Sequence, residues 1–262
     1  SFGLFQQVLL VVIQIAVKRL DFAAAYHPEL VANGTQQSAV VADQHHRAFK
    51  LIEGHGQALL GQGIHQIQID VGKAGIITDR RLRTGNKRIF AIGDVTGRQQ
   101  FTHVAAYHAG ICLRNILFKL PAKIDDSAVP WVTYCDPELA HVGLGLRDAE
   151  ARFGADQVIC LETPLSGNDR AIADRRSEGM VKVLTHKNGQ ILGASILAPA
   201  AGEMILAWSH AIATKAKIAS IASLIAPYPT YGDSSKRAAG SFFTAKLFSP
   251  ATRRFVQFLL KF

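Results

Sequence analysis

The chain has 262 residues, 48% of them hydrophobic and 19% charged, with a net charge of +9. That balance excludes a disordered polyelectrolyte and allows one large domain or two ordinary ones, each able to bury a core. The basic residues are scattered with no block of five, so a basic soluble protein holding an anionic cofactor is favoured over a nucleic-acid-binding protein, a reading that rests on charge alone.

Gly3 to Val17, GLFQQVLLVVIQIAV, is the most apolar run. It is shorter than the ~20 residues of a bilayer span, holds glutamines, and follows no basic residue. A buried helix or strand is expected there. Residues 1–68 are rich in glutamine and histidine. His45, His46, His55 and His65 match no zinc spacing, and no metal site is expected. No GxGxxG or GxxxxGK[ST] loop occurs.

From Asp70 the signals sharpen. GIITD and RIFAIGD predict short buried strands. Thr102 to Leu117 predicts a helix with Thr102 as N-cap and Val104, Ala105, Ile111 and Leu113 in a buried stripe. PAKIDDSAVP, residues 121–130, predicts a linker. WVTYC and LAHVGL then predict two strands around the Asp136-Pro137 turn. RDAEARFG predicts a short helix closed by Gly154. Val181 to Leu184 and Ile191 to Leu197 flank Asn188-Gly189, a hairpin signal. Helices are expected at 203–215, 218–225 and 233–248, with Pro227 and Pro229 breaking the chain between the last two.

The cysteines Cys112, Cys135 and Cys160 form no CxxC pair and no even-numbered framework, which fits a reducing, cytoplasmic compartment. Cys112 is expected to be a core thiol, and Cys135 and Cys160 to lie in strands. His210 is expected to be packed or at an interface. Glu203 is a helix first-turn acid or an interface residue. The tail TAKLFSPATRRFVQFLLKF is basic and apolar together. A membrane-surface helix is one reading; an amphipathic helix packing on a partner subunit is the commoner one, and no membrane partner is expected.

The segment NKRIFAIGDVTG ends an apolar run in Asp94, between Gly93 and Gly97. A carboxylate at a strand's C-terminal edge sits where open α/β folds bind ligands. It accepts hydrogen bonds, so a hydroxyl-bearing chain such as a ribose or ribityl is its natural partner. A bare Asp capping the next turn is the competing reading. The wider stretch RLRTGNKRIFAIGDVTGRQQFTHVAAYHAG resembles the second flavin-binding motif of the FAD-dependent pyridine nucleotide-disulfide oxidoreductases. VPWVTYCDPELAHVGL, GQILGASILAPAAGEMI and PYPTYGDSSKRAAG follow in that family's order.

The resemblance runs from about Asp70 to the C-terminus. It implies an α/β and α+β architecture: 1–68 an atypical leader, 69–125 the C-terminal segment of an FAD-binding domain, and 126–262 an α+β interface domain with an antiparallel sheet that makes a homodimer. It also implies an NAD(P)H-dependent oxidoreductase with FAD as cofactor. Asp94, after Gly93, would meet the ribityl hydroxyls, and the helix start at Thr102 and His103 would face the isoalloxazine. The family's His-Pro and Glu fall on Tyr228, Pro229 and Asp233. A phenol, with an ordinary pKa near ~10 against ~6.5 for imidazole, donates a hydrogen bond but shuttles protons poorly at neutral pH. That argues against a glutathione or lipoamide substrate and toward a mercuric-reductase-like relative. Tyr228 as an interface aromatic is an equal reading.

Upstream, the family's GxGxxG loop, its CxxxxC pair and its NAD(P)H domain find no counterpart within these residues. The texture of 1–68 suggests a frame-shifted or opposite-strand leader. The coding DNA tests this: a single base shift should restore a family-like frame, and a clean in-frame start would count against it. FAD is expected to bind these residues alone weakly or not at all. A dimerising module without enzyme activity is the alternative function.

Overall fold

The computed structural model describes residues 40–43, 48–51, 57–59, 67–68 and 70–260. The apolar run 3–17 and the four histidines of the first 68 residues lie outside them. The chain divides into two compact units, 1–125 and 126–262.

In the first unit, β1 (Val40–Asp43), β2 (Ala48–Leu51), β3 (Gln57–Leu59), β4 (Ile67–Gln68) and β5 (Ile89–Phe90) form an antiparallel sheet in the order β4-β3-β2-β1-β5. Ala42 and Asp43 pair with Phe90 and Ile89. The two expected strands are shorter than their apolar runs. GIITD contributes only a bridge between Ile76 and Val71, with Ile76 buried and Ile77 exposed. The reason lies at Gly75, where φ is +156° and an added Cβ would meet the Val95 carbonyl oxygen at 2.4 Å; the chain turns there against another loop rather than running on extended. RIFAIGD pairs only at Ile89–Phe90. Residues 89–93 are all buried, but Gly93 adopts φ 69°, left-handed backbone open to glycine, and the chain coils into a 3-10 turn over Gly93–Thr96.

Helix α1 (Thr102–Ile116) forms as expected, with a correction at its start: Phe101 is the N-cap residue, no side chain caps the helix, and Thr102 is its first residue. Val104, Ala105 and Ile111 are buried, whereas Leu113 is half-buried. Ile111 and Cys112 pack with Leu82, Phe90, Ile92 and Ile124. Burial pushes the Cys112 thiol up to about 12, as suits an inert core cysteine. Residues 121–130 carry no helix or strand.

In the second unit, β6 (Trp131–Thr133), β7 (Glu138–Gly143), β8 (Val158–Pro164), β9 (Met180–His186) and β10 (Ile191–Ala198) form an antiparallel sheet in the order β6-β7-β10-β9-β8. Alternate residues of the central strands, Ala140, Val142, Val181, Val183, Ala194 and Ile196, are fully or almost fully buried and line one face. That face is covered by α4 (Ala201–Ala213), α5 (Ile218–Ala222) and α6 (Asp233–Leu247), whose Trp208, Ile205, Ile218 and Ala239 share the core. The remaining helices are α2 (Leu146–Phe153), ended at Gly154 with φ 90°, α3 (Asp169–Ala173) and α7 (Pro250–Leu259).

The β9–β10 hairpin closes differently from a two-residue Asn-Gly turn. The Gly189 N–H bonds the His186 carbonyl at 2.8 Å, and only Gly189 has positive φ, 85°. This is a turn over Lys187-Asn188 followed by a left-handed glycine, and further along β10 the register shifts between Ile191 and Gly193. The single residues expected in this unit fall as follows. Cys135 lies beyond the end of β6, exposed, with its thiol donating to the Pro137 carbonyl at 3.0 Å. Cys160 is in β8 as expected. His210 is exposed on the outer side of α4, so of its two expected places it does not take the one packed within the chain. The α4 start is bonded by Glu138, whose Oε2 accepts the Gly202 N–H at 2.9 Å, while Glu203 is exposed in the first turn.

Trp208 is 0% exposed, and its indole N–H donates to the Ser235 hydroxyl at 3.1 Å, joining α4 to α6. Trp208→Ala should destabilise the fold by about 3–5 kcal/mol, the usual cost of emptying a large aromatic site, read as a lowered midpoint in urea denaturation.

Candidate functional site

The first group of site residues lies on the turn after β5. Gly93 donates its backbone N–H to Nδ1 of His108, 3.1 Å away and fully buried on α1. An accepting Nδ1 assigns the neutral ring its proton on Nε2. Thr96 closes the turn through its hydroxyl to the Gly93 carbonyl at 2.7 Å, and the Gly97 N–H bonds the Asp94 carbonyl at 3.0 Å. Gly97 is left-handed at φ 64°, and an added Cβ would meet the Ala74 carbonyl oxygen at 2.2 Å. The turn is therefore fixed on both sides. Its product is an exposed Asp94 side chain with no ion pair or hydrogen bond to any described residue.

The second part of this group is the start of α1. Thr102 and His103 are exposed in its first turn, and the His103 ring stacks on Phe101 at 5.2 Å with 9° between planes. The N–H groups of Val104 and Ala105 return to the Phe101 carbonyl at 3.0 and 3.1 Å. An acceptor-only carboxylate held on a rigid turn and a helix's positive end fit the hydroxylated arm and the electron-rich edge of a flavin.

The second group lies in the other unit. Tyr228 is 72% exposed, and its hydroxyl donates to Oδ2 of Asp169 at 2.9 Å. Asp233 opens α6 and accepts from Arg237 Nε at 2.5 Å, while a terminal nitrogen of Arg237 donates to the Gly167 carbonyl at 2.7 Å. Tyr228 and Asp233 thus take separate hydrogen-bond partners. The Asp169 hydrogen bond, then its charge, hold the Tyr228 phenol above its ordinary range; the Asp233 charge adds to this and Arg237 opposes it.

Four residues here carry structure that sequence reasoning missed. Asn168 caps α3 by accepting the Ala171 N–H at 3.0 Å, and its amide donates to the Thr230 carbonyl and the Ser234 hydroxyl, both at 3.0 Å. Tyr231 donates to Asp174 Oδ2 at 3.0 Å, a carboxylate that also receives Arg170 Nε at 2.7 Å. Asp169 opens one short helix, Asp174 follows its end, and each receives a tyrosine hydroxyl. The Asn-Asp pair in GNDR was the available signal, as a helix start. His108 was also missed. It occupies the i+4 position from Val104 and precedes Ile111 by three, so its place in the buried stripe was legible. Among the described residues, no three His, Cys, Asp or Glu side chains are grouped to hold a metal.

Residues 129–239 match the family described as the pyridine nucleotide-disulphide oxidoreductase dimerisation domain. The mercuric reductase of Bacillus cereus is 34% identical over 181 residues, covering 68% of this chain and 28% of that protein. The dihydrolipoyl dehydrogenase of Bacillus subtilis is 33% identical over 179 residues, covering 68% of this chain and 37% of that protein. Among solved structures, LpdA from Mycobacterium tuberculosis superposes with a TM-score of 0.63 and 26% identity over 80% of this chain and 47% of its own. The flavoprotein disulfide reductase RclA from Escherichia coli, as its Cu(II) complex, gives 0.61 and 27% over 66% of this chain and 40% of its own. The five-stranded antiparallel sheet of the second unit has the architecture of such a dimerisation domain. The chain belongs to the pyridine nucleotide-disulfide oxidoreductase family. It spans well under half the length of both curated relatives.

Asp169→Asn should lower the Tyr228 phenol pKa toward ~10, measured by ultraviolet absorbance titration of the phenolate. The sign follows from linkage. A raised folded-state phenol contributes stability that is fully present below its unfolded pKa of ~10 and is lost as pH rises through the folded value. Between ~10 and that folded value the wild-type chain should therefore lose stability more steeply than Asp169→Asn, with no further difference at higher pH.

Proposed function

We propose that these residues are the C-terminal portion of an NAD(P)H-dependent FAD flavoprotein oxidoreductase, with 69–125 completing the FAD-binding domain and 126–262 forming the homodimer interface. The observation that supports this most is Asp94, an exposed carboxylate with no partner among the described residues, on a turn fixed by left-handed glycines and by a buried histidine. FAD, when bound, supplies the redox chemistry between NAD(P)H and an electron acceptor. Asp94 accepts hydrogen bonds from the ribityl hydroxyls. Gly93 removes the side chain that would keep a ligand off the backbone. His108 holds the Gly93 N–H and so keeps the Asp94 turn in place. Thr102 and His103 present the positive end of α1 to the pyrimidine edge of the isoalloxazine, where it favours negative charge.

Tyr228 and Asp233 stand where the family's thiol-handling members place His and Glu. With its phenol held protonated by Asp169, Tyr228 is a hydrogen-bond donor at neutral pH and not a proton shuttle. That supports an acceptor other than a glutathione- or lipoamide-type disulfide, on mercuric-reductase-like lines. The second reading, a dimerisation module without enzyme activity, is favoured by the family match falling on 129–239 alone.

The contacts these residues offer FAD are few. Each hydrogen bond is worth about 1 kcal/mol net, or ~1.5–3 with charge, against an association cost of roughly 4–15 kcal/mol. A polypeptide of these 262 residues alone should therefore bind FAD weakly, and Asp94→Ala should weaken it by a further ten-fold or more, read by quenching of flavin fluorescence. Binding indifferent to Asp94→Ala would remove the flavin role of this turn. A yellow chain purified with stoichiometric FAD would overturn the weak-binding expectation, and no flavin binding at all would favour the dimerisation module.

A further inference from the structure

The last helix lies beyond the span matched to the dimerisation family, which ends at residue 239. α7 has a defined start: the Ser249 hydroxyl accepts the Thr252 N–H at 3.2 Å, and Pro250 occupies the first turn. None of its residues is buried. Phe255, Val256 and Leu259, spaced i, i+1 and i+4, share one face and are 60%, 46% and 51% exposed. Arg253, Arg254 and Gln257 repeat that spacing on the opposite face, all exposed. Leu247 and Phe248 before the helix and Leu260 after it are exposed as well. From Ser234 to Phe262 the sequence has six lysines and arginines and no aspartate or glutamate.

We propose that α7 lies in the plane of an anionic lipid surface, with Phe255, Val256 and Leu259 entering the headgroup boundary and Arg253 and Arg254, aided by Lys246, meeting lipid phosphates. This departs from the sequence expectation of no membrane partner. Ten residues at ~1.5 Å each reach about 15 Å, half the ~30 Å hydrocarbon core, so the helix lies on a bilayer and does not cross it. An apolar face rich in Phe and Leu opposite a face of Arg is the pattern that binds there. Charge decides between occupants. The same segment of a second copy would bring more cations and no acid to pair them, whereas an anionic leaflet supplies opposite charge across a plane.

The test is flotation of the whole 262-residue chain with vesicles. The expected result is binding to phosphatidylglycerol-rich vesicles, little binding to pure phosphatidylcholine, and release by raised salt. Arg253→Gln with Arg254→Gln, both on exposed positions, should weaken binding by roughly ten- to thirty-fold. Phe255→Ser with Leu259→Ser should do likewise without changing the oligomer's mass in sedimentation. The proposal is overturned by failure to bind anionic vesicles, by equal binding to both lipids, or by either variant binding as the wild type does. A serine variant that converts a dimer to monomer would also overturn it, assigning the apolar face to a second copy.

Discussion

The hydrogen bond from the Gly93 N–H to buried His108 is the constraint on which the candidate cofactor site turns. It joins the end of the β5 run to the middle of α1, so the acid-bearing turn and the helix start are held by one contact. The cost of burying an imidazole is offset because its accepting nitrogen is satisfied by a backbone donor that would otherwise be orphaned. Left-handed φ at Gly93 and Gly97 then directs Asp94 outward while residues 89–93 stay in the core. A side chain at position 97 would collide with the Ala74 carbonyl, so shape as well as conformation requires glycine there.

The second unit depends on a different kind of constraint. Its sheet is central-strand dominated: β10 pairs with β7 on one side and β9 on the other over most of its length, and the alternation of Ala194, Ile196 and Ala198 sets which face meets α4 and α6. Outside that core, the segment 228–231 is attached by polar contacts to α3. Asn168 binds its backbone, Asp169 and Asp174 take its tyrosines, and Arg237 bridges Asp233 to Gly167. The Asp169–Tyr228 pair is exposed, and such surface pairs orient a side chain more than they stabilise a fold.

Much of the fold was legible because it is local. The Asn188-Gly189 signal marked a hairpin, Gly154 marked a helix end, and the 3.6-residue pattern of 102–117 marked a helix. The residues of the proposed flavin site were legible as a motif, since Gly93, Asp94, Thr102 and His103 sit within eleven residues of sequence. What was not legible depended on distant partners. The span 75–79 has strand composition, yet Gly75 is pressed against Val95 and the chain turns. Thr102 has the chemistry of an N-cap, but the backbone enters the helix one residue earlier. Asp169 and Asp174 are 59 and 57 residues from their tyrosines, a separation that no local pattern encodes.

The sequence by itself determined the family, the order of its motifs and the identity of the exposed carboxylate, because each is carried by residue type over short spans. Only the tertiary structure decided that Asp94 is unpaired among the described residues, that His108 holds its turn, that Tyr228 answers to Asp169 rather than Asp233, and that α7 leaves a face uncovered. Those outcomes are set by which donors and acceptors folding brings within about 3 Å of each other, a distance at which residues far apart in the chain compete on equal terms with neighbours.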